Sequence, residues 1–206
     1  IIDRALTWRT ERTDAIYKDS SLDHAKIWAV LHLVPLRAFS ASAPKFDPQS
    51  QFRSGEFQLR TPFDAGSGNP NYLGWRYESR DHDGNVLAYL QIYRDFRMEL
   101  VFEGGDRSEK QNVTRLWAGV LETDLGKWLT RFKAWTGEFE YPLPAFALLS
   151  LLNTRASVII SDHRTYQTNE ATLHLEPALI EDGQFEPRSA LLPAYNHLYQ
   201  SYGFAA

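Results

Sequence analysis

GWRYESRDHDGNVLAYLQIYRDFRMELVFEGG, residues 74–105, is the stretch that decides the fold of this 206-residue chain. Strand side chains point alternately to the two faces of a sheet, and this pattern runs over 74–80 and again over 86–94. Asp83-Gly84-Asn85 between them tolerates positive φ, which is typical of a hairpin turn. A further apolar run covers 98–102. The stretch predicts three consecutive antiparallel strands, and bulk on both faces of the second indicates a central position.

A long amphipathic helix is predicted directly after these strands, from Ser108 to Thr136. Ser108 to Gln111 has the form of a capping box, in which a hydroxyl and an amide side chain satisfy N–H groups at the helix start. Apolar side chains then recur at three- and four-residue steps, at Val113, Leu116, Trp117, Val120, Leu121, Trp128, Leu129, Phe132 and Trp135. Burial of each contributes about 1.5–3 kcal/mol. The stripe therefore predicts core packing for its three tryptophans.

The flanking segments complete an α+β arrangement. Residues 1–20 contain a helix-like pattern that we interpret as a linking helix, and residues 27–36 form an apolar run typical of a strand buried on both faces. Further strands are predicted over 56–60, 146–152, 156–161 and 172–180, and a terminal helix over 190–202. The sequence thus predicts a single domain over residues 1–206. Its mostly antiparallel sheet of about six to eight strands is packed by the long amphipathic helix and the C-terminal helix.

Composition limits the function classes. A net charge of −4 and a pI of about 5.9 argue against a broad grip on nucleic-acid phosphates. The chain has no cysteine, which removes disulfides and thiolate chemistry and fits a cytoplasmic protein. No apolar run approaches the roughly 20 residues of a membrane helix, so no membrane partner is expected. The chain starts at Ile1, and we expect that a tag, a processed segment or a further domain preceded it.

Catalytic signatures are weak. Asp162 and His163 follow a predicted strand and are the leading, weak candidates for catalytic residues; Asp81-His82-Asp83 and Asp162-His163-Arg164 could each form an acid/base pair or a metal site. His82 lies in a predicted turn, and His32 lies inside an apolar run where a core role is expected. No histidine has the spacing of a metal site, and no nucleophile elbow, phosphate loop or dinucleotide fingerprint is present. The sequence predicts no metal and no cofactor, and it favours a non-catalytic protein over an enzyme.

Arginine and tyrosine in the antiparallel strands are the candidates for binding. Arg76, Arg94, Tyr89 and Tyr93 are expected on a sheet face, where they would form a platform for a partner or a base. Pairing of arginine with glutamate across the strands is the simpler explanation of the same residues.

The order of the strand segments carries a family resemblance. The segments are Ala29–Leu36, Gly74–Arg76, Tyr89–Arg94, Met98–Val101, Leu148–Leu152 and Ala156–Ile160. Together they resemble the C-terminal region of bacterial proteins that carry a Schlafen-type, AlbA-like DNA-binding domain. The resemblance covers about three quarters of the chain and rests on strand patterns. The DNA-binding part of such proteins lies N-terminal to this region, so the resemblance implies a context and assigns no functional residue.

Three functions are compatible with these patterns. The leading hypothesis is a non-catalytic sensor or interaction domain that regulates or localises an AlbA-like nucleic-acid-binding or defence-related protein. Its partner would be the N-terminal domain of the same protein or a separate protein, nucleic acid would bind through that missing domain, and self-association into a homo-oligomer is an option. The second hypothesis is a hydrolase or nuclease-like enzyme that uses dispersed Asp/His residues. The third is a small-ligand-binding domain with its pocket between the sheet and the 40–71 loop.

Overall fold

The computed structural model describes residues 1–47, 60–63, 66–108, 113–161 and 164–204. These residues form three helices and one sheet of eleven strands. The elements are α1 (Ile2–Tyr17), β1 (Ile27–Pro35), β2 (Ser67–Asn71), β3 (Gly74–Arg80), β4 (Val86–Tyr93), β5 (Met98–Ser108), β6 (Val113–Leu116), α2 (Ala118–Glu138), β7 (Ala145–Leu152), β8 (Val158–Ser161), β9 (Arg164–Gln167), β10 (Thr172–His174), β11 (Ala178–Ile180) and α3 (Leu192–Ser201).

The predicted α+β class with a mostly antiparallel sheet is confirmed. The strand order is β10-β7-β1-β5-β4-β3-β2, with β11 also on β7 and with β6, β8 and β9 continuing from β5. The three strands predicted from residues 74–105 are β3, β4 and β5, and they pair in antiparallel register. Only the contact between β6 and β8 is parallel among the strand pairs of the described residues. The sheet has more strands than predicted because several short strands extend its margins.

The long helix begins at Ala118, and the prediction that it begins at Ser108 is wrong. β5 continues to Ser108 and β6 pairs antiparallel with it, so Val113 and Leu116 belong to a hairpin. Sheet pairing satisfies the backbone N–H and C=O groups of this segment, and that requirement outweighs a local helix signal. The remaining predicted capping residues, 109–111, lie outside the described residues.

The apolar stripe of α2 is otherwise largely as predicted. Trp128 and Trp135 are buried in the core, each about 1% exposed. Trp117 stands at the start of the helix and is only half-buried, while Val120 faces solvent. These two corrections follow from the later helix start, because the first turn of α2 lies at the margin of the sheet.

The sheet separates two layers of packing. Alternate residues of β1, from Ala29 to Leu33, join the large core formed with α2 and α3. The intervening residues, such as Val30 and Val34, join smaller clusters with α1. All nine residues of β1 are buried, which confirms the predicted strand buried on both faces. The two sides differ in which polar side chains they bury. The buried residues that can carry charge, Arg9, His32 and Glu99, lie on the α1 side, whereas the α2 side buries hydroxyl groups such as those of Ser79 and Thr136.

Other boundaries were predicted less well. The segment 172–180 forms two strands, β10 and β11, separated at Glu176-Pro177, since proline supplies no N–H to a ladder. The C-terminal helix is present as α3, and a break at Asn153 separates β7 from β8 as expected. The predicted short strand over 56–60 lies almost entirely outside the described residues. No helix in the described part of the chain has the length and apolar content needed to cross a membrane.

Candidate functional site

A cluster of charged and polar side chains is buried between α1 and the sheet. Glu99 lies on β5, His32 on the neighbouring strand β1, and Tyr89 on the other neighbour, β4. His32 and Glu99 are paired in the antiparallel register. Arg12 reaches the same point from α1. We call these four residues the Glu99 cluster, and within it Glu99, His32 and Tyr89 are each at most 2% exposed.

Four hydrogen bonds converge on the Glu99 carboxylate. Its Oε2 accepts from Arg12 Nε at 2.7 Å and from His32 Nε2 at 3.2 Å. Its Oε1 accepts from Arg12 Nη2 at 3.0 Å and from the Tyr89 hydroxyl at 2.9 Å. The guanidinium of Arg12 therefore binds the carboxylate in a bidentate geometry, which strengthens such ion pairs. Both carboxylate oxygens are satisfied by protein groups alone.

The protonation states in the cluster follow from these contacts. Burial works to raise the pKa of Glu99, but the hydrogen bonds from His32 and Arg12 together lower this pKa from 4.5 to about 2. Burial lowers the pKa of His32, so its ring is neutral and its Nε2–H donates to Glu99. Its Nδ1 has no hydrogen-bond partner among the described residues. Burial raises the pKa of Tyr89, which therefore stays a neutral donor.

Aromatic rings close the cluster. The Trp8 ring of α1 packs edge-on against His32, with ring centroids 4.8 Å apart, and packs against Tyr93 at 5.5 Å. The Arg76 guanidinium lies 3.8 Å above the centre of the Tyr89 ring and pairs with Glu78. A guanidinium over the face of an aromatic ring is attracted by the ring electrons. The cluster is thus covered from α1 on one side and from β3 on the other.

The structure brings three of the four predicted binding residues together but does not expose them as expected. Tyr89 donates to Glu99, Arg76 lies over the Tyr89 ring, and Tyr93 packs against Trp8. Arg94 lies apart and donates from Nε to the Tyr72 carbonyl at 3.1 Å. Tyr89 and Tyr93 are only 2% and 7% exposed. The expectation that the two tyrosines are exposed is wrong, because α1 covers that face of the sheet, whereas Arg94 is exposed as expected. A binding role for the four residues stays a prediction.

Sequence reasoning missed Glu99 and Arg12, although Glu99 left a signal. A carboxylate inside the apolar run Met98–Phe102 has to find a partner if the strand is central, since an unpaired buried charge is costly. His32 inside the apolar run of β1 is the matching polar residue. Nothing in the sequence pointed to Arg12 in the same way. The first helix carries several arginines, and its weak apolar stripe does not indicate which of them faces the sheet.

The predicted catalytic pair cannot be placed. Asp162 and His163 lie outside the described residues, and so do residues 48–59 of the loop expected to line a small-ligand pocket. His82 is exposed in the β3–β4 turn and approaches Asp83 at 3.2 Å. Across the ranges that the structure describes, no three His, Asp or Glu side chains gather in a metal-binding arrangement.

The Glu99 cluster holds acid/base groups but closes them off. A general acid or base must come within hydrogen-bonding reach of its substrate. Glu99 and His32 are 1% and 0% exposed at their side chains, while Arg12 retains 29%. Solvent therefore reaches the cluster mainly at Arg12. The geometry therefore suits a clasp that fixes α1 to the sheet better than it suits turnover of a substrate.

The fold and the cluster define an α+β domain whose first helix is clasped to the sheet by a buried ion pair. Comparisons of the chain with protein-family models, with curated proteins and with solved structures find no match. The functional argument therefore rests on the side chains described above.

The ion pair is expected to weaken in acid. A carboxyl whose pKa is lower in the fold than in the unfolded chain contributes stability above its unfolded pKa, and this contribution is lost as pH falls toward the folded pKa. For Glu99 these values are about 2 and 4.5. Neutral His32 acts in the same direction below pH 6.5, since the unfolded chain then binds a proton that the fold does not.

We therefore expect the difference in free energy of unfolding between wild type and Glu99→Gln to shrink on acidification. The decrease should be roughly 2 kcal/mol between about pH 7 and about pH 3, from the linkage of the two pKa values. Urea denaturation at several pH values measures it. A difference that stays constant with pH would show that the pKa of Glu99 is the same in the folded and unfolded chain, and one that grows on acidification would show a protonated Glu99 in the fold.

Proposed function

We propose that this chain is a non-catalytic sensor or interaction domain that regulates or localises a nucleic-acid-binding protein of the AlbA-like type, in the cytoplasm. The observation that carries the proposal is the clasp between Arg12 and Glu99, which ties α1 to a strand 87 residues away. This ion pair gives α1 a defined position on the sheet. Loss of the ion pair would let the whole helix shift relative to the sheet.

A second contact supports the same role for α1. Arg9 Nη1 donates to the Leu175 carbonyl at 3.0 Å, next to strand β10, so that two arginines of one helix face bind two parts of the sheet. Apolar residues of the helix, among them Ala5 and Ile16, pack beneath them. The helix that opens this chain is thus joined to the domain by polar and apolar contacts together.

The closed acid/base groups favour an interaction role over an enzymatic one. Turnover needs an open route to the reacting groups, and Glu99 and His32 have none among the described residues. The resemblance in strand order to AlbA-like proteins supplies the partner class in this proposal, with the N-terminal domain of such a protein or a separate protein as the partner.

The test compares the protein encoded by the whole gene with a version that lacks residues 1–206. Nucleic-acid binding is followed by fluorescence anisotropy and self-association by sedimentation. We expect deletion to change the affinity or the oligomeric state. The Glu99→Gln variant, which loosens the clasp, should shift the same quantity in the direction of the deletion, and Glu103→Gln on the same strand should not. If deletion alters neither quantity, the regulatory role is lost.

A further inference from the structure

A surface cleft of about 650 Å³ lies where the end of α1 meets the turn after β7. It is within the usual size of small-ligand sites, which are about 300–1,000 Å³. The cleft is lined by parts of the chain that are distant in sequence, among them Tyr17, His24, Arg107, Asn153, Arg155 and Gln167. It is separate from the Glu99 cluster and from the loop where a ligand pocket was expected.

The charged side chains among the described lining residues of the cleft are arginines, although the chain is acidic overall. Arg107 and Arg155 both line it, and no Asp or Glu is present among its described lining residues. Arg155 is exposed and makes no ion pair with any described residue. Another cleft, between α2 and α3, is of similar size but mixes Glu122 and Glu186 with its lysines. The first cleft is therefore the one whose chemistry selects an anion.

The loop that carries Arg155 is held in an uncommon conformation. Asn153 and Ala156 on either side of it have φ values of 62° and 58°, in the left-handed region that alanine rarely adopts. Side-chain and backbone bonds hold this geometry. Asn153 Nδ2 donates to the Lys26 carbonyl at 3.0 Å, and the Ala156 N–H donates to the Thr168 carbonyl at 3.0 Å. The arginine is thus presented from a fixed loop, which lowers the ordering cost of binding.

Two aromatic rings also line the cleft, those of Tyr17 and His24. Tyr17 is 51% exposed, and its ring lies 5.8 Å from that of His24 in a tilted pair. Arginine matches phosphate oxygens with its planar fork of N–H donors. Exposed aromatic rings stack on nucleobases. From this pairing of arginine and tyrosine we infer that the cleft binds a nucleoside phosphate, either as a free nucleotide or as one unit of a single-stranded nucleic acid.

The inference deepens the sensor role proposed above, because the cleft lies at the end of α1. Its test is a calorimetric titration of the 206-residue chain with adenosine monophosphate, with inorganic phosphate and with a short single-stranded oligothymidylate. We expect Arg155→Ala to weaken nucleotide binding about tenfold or more, the effect of losing a charge-assisted hydrogen bond. Tyr17→Ala should weaken binding of the nucleotide but leave that of phosphate unchanged.

Arg37→Ala is the matched control. Arg37 is exposed in the turn after β1, at the end of that strand away from the cleft, and its removal should leave binding unchanged. Tighter binding of the oligonucleotide than of the mononucleotide would assign the site to nucleic acid, and the reverse order would assign it to a free nucleotide. Binding of neither, or an equal loss in Arg155→Ala and Arg37→Ala, would overturn the inference. The titration involves no partner, so its outcome is independent of the deletion experiment.

Discussion

Replacing Glu99 by glutamine is expected to lower the free energy of unfolding by about 3–5 kcal/mol, the usual cost of breaking a buried ion pair from one side. The amide has one acceptor oxygen in place of two, so the four hydrogen bonds that the carboxylate accepts compete for one oxygen, and its NH₂ group faces the N–H groups of Arg12, which cannot accept. Arg12, His32 and Tyr89 therefore lose bonds together. The loss should fall toward the lower end of the range because Arg12 keeps 29% exposure and can regain water.

Glu103→Gln provides the control for this change. Glu103 lies on the same strand and pairs with Lys26 at 2.7 Å, but its side chain is 11% exposed, against 1% for Glu99. Its loss should cost at most about 1 kcal/mol, as for other partly exposed pairs. Chemical denaturation of both variants gives the comparison. An equal decrease in the free energy of unfolding in the two variants would mean that the buried Glu99 cluster stabilises the fold no more than a partly exposed ion pair does.

The same cluster shows how far the sequence could lead. Period-two alternation on both sides of Gly84 was sufficient to predict β3 and β4, because a hairpin is a local structure, and the apolar run 98–102 predicted the start of β5. Which face of the sheet is covered by which helix was not predictable from local patterns. The face that carries Tyr89 and Tyr93 has arginines beside it, and such a pattern fits an exposed platform as well as a buried one. Only the docking of α1, a contact between distant segments, distinguishes the two.

The start of α2 illustrates a second limit. The residues from Val113 to Trp117 satisfy a helical stripe, and a capping pattern precedes them, so every local signal favoured an early helix start. Pairing with the end of β5 outweighed those signals because the strand offers backbone hydrogen bonds that a sequence window does not contain. The candidate site also depends on a contact that no local window contains, because Glu99 and Arg12 are 87 residues apart in the sequence.

An aromatic group at the centre of α2 connects that helix to the rest of the core. Phe132 stacks on Trp128 with ring centroids 5.6 Å apart and meets Tyr141 edge-on at 4.9 Å. Trp135 and Phe185 lie at 6.3 and 6.2 Å. Such pairs contribute about 0.5–1.5 kcal/mol beyond the area that they bury. Phe132 is therefore the side chain on which four other rings depend for their packing.

Phe132→Ala is expected to lower the free energy of unfolding by about 3–5 kcal/mol, through lost burial and the cavity left behind. The result should be at the upper end, because rigid rings collapse poorly into a cavity and Phe132 itself is fully buried. Val120→Ala on the same helix, where the side chain is 54% exposed, should change stability by no more than about 0.5 kcal/mol. Thermal and urea unfolding measure both. A small loss at Phe132 would mean that α2 does not carry the core of this domain, and the placement of the sheet between two helical layers would then have to be revised.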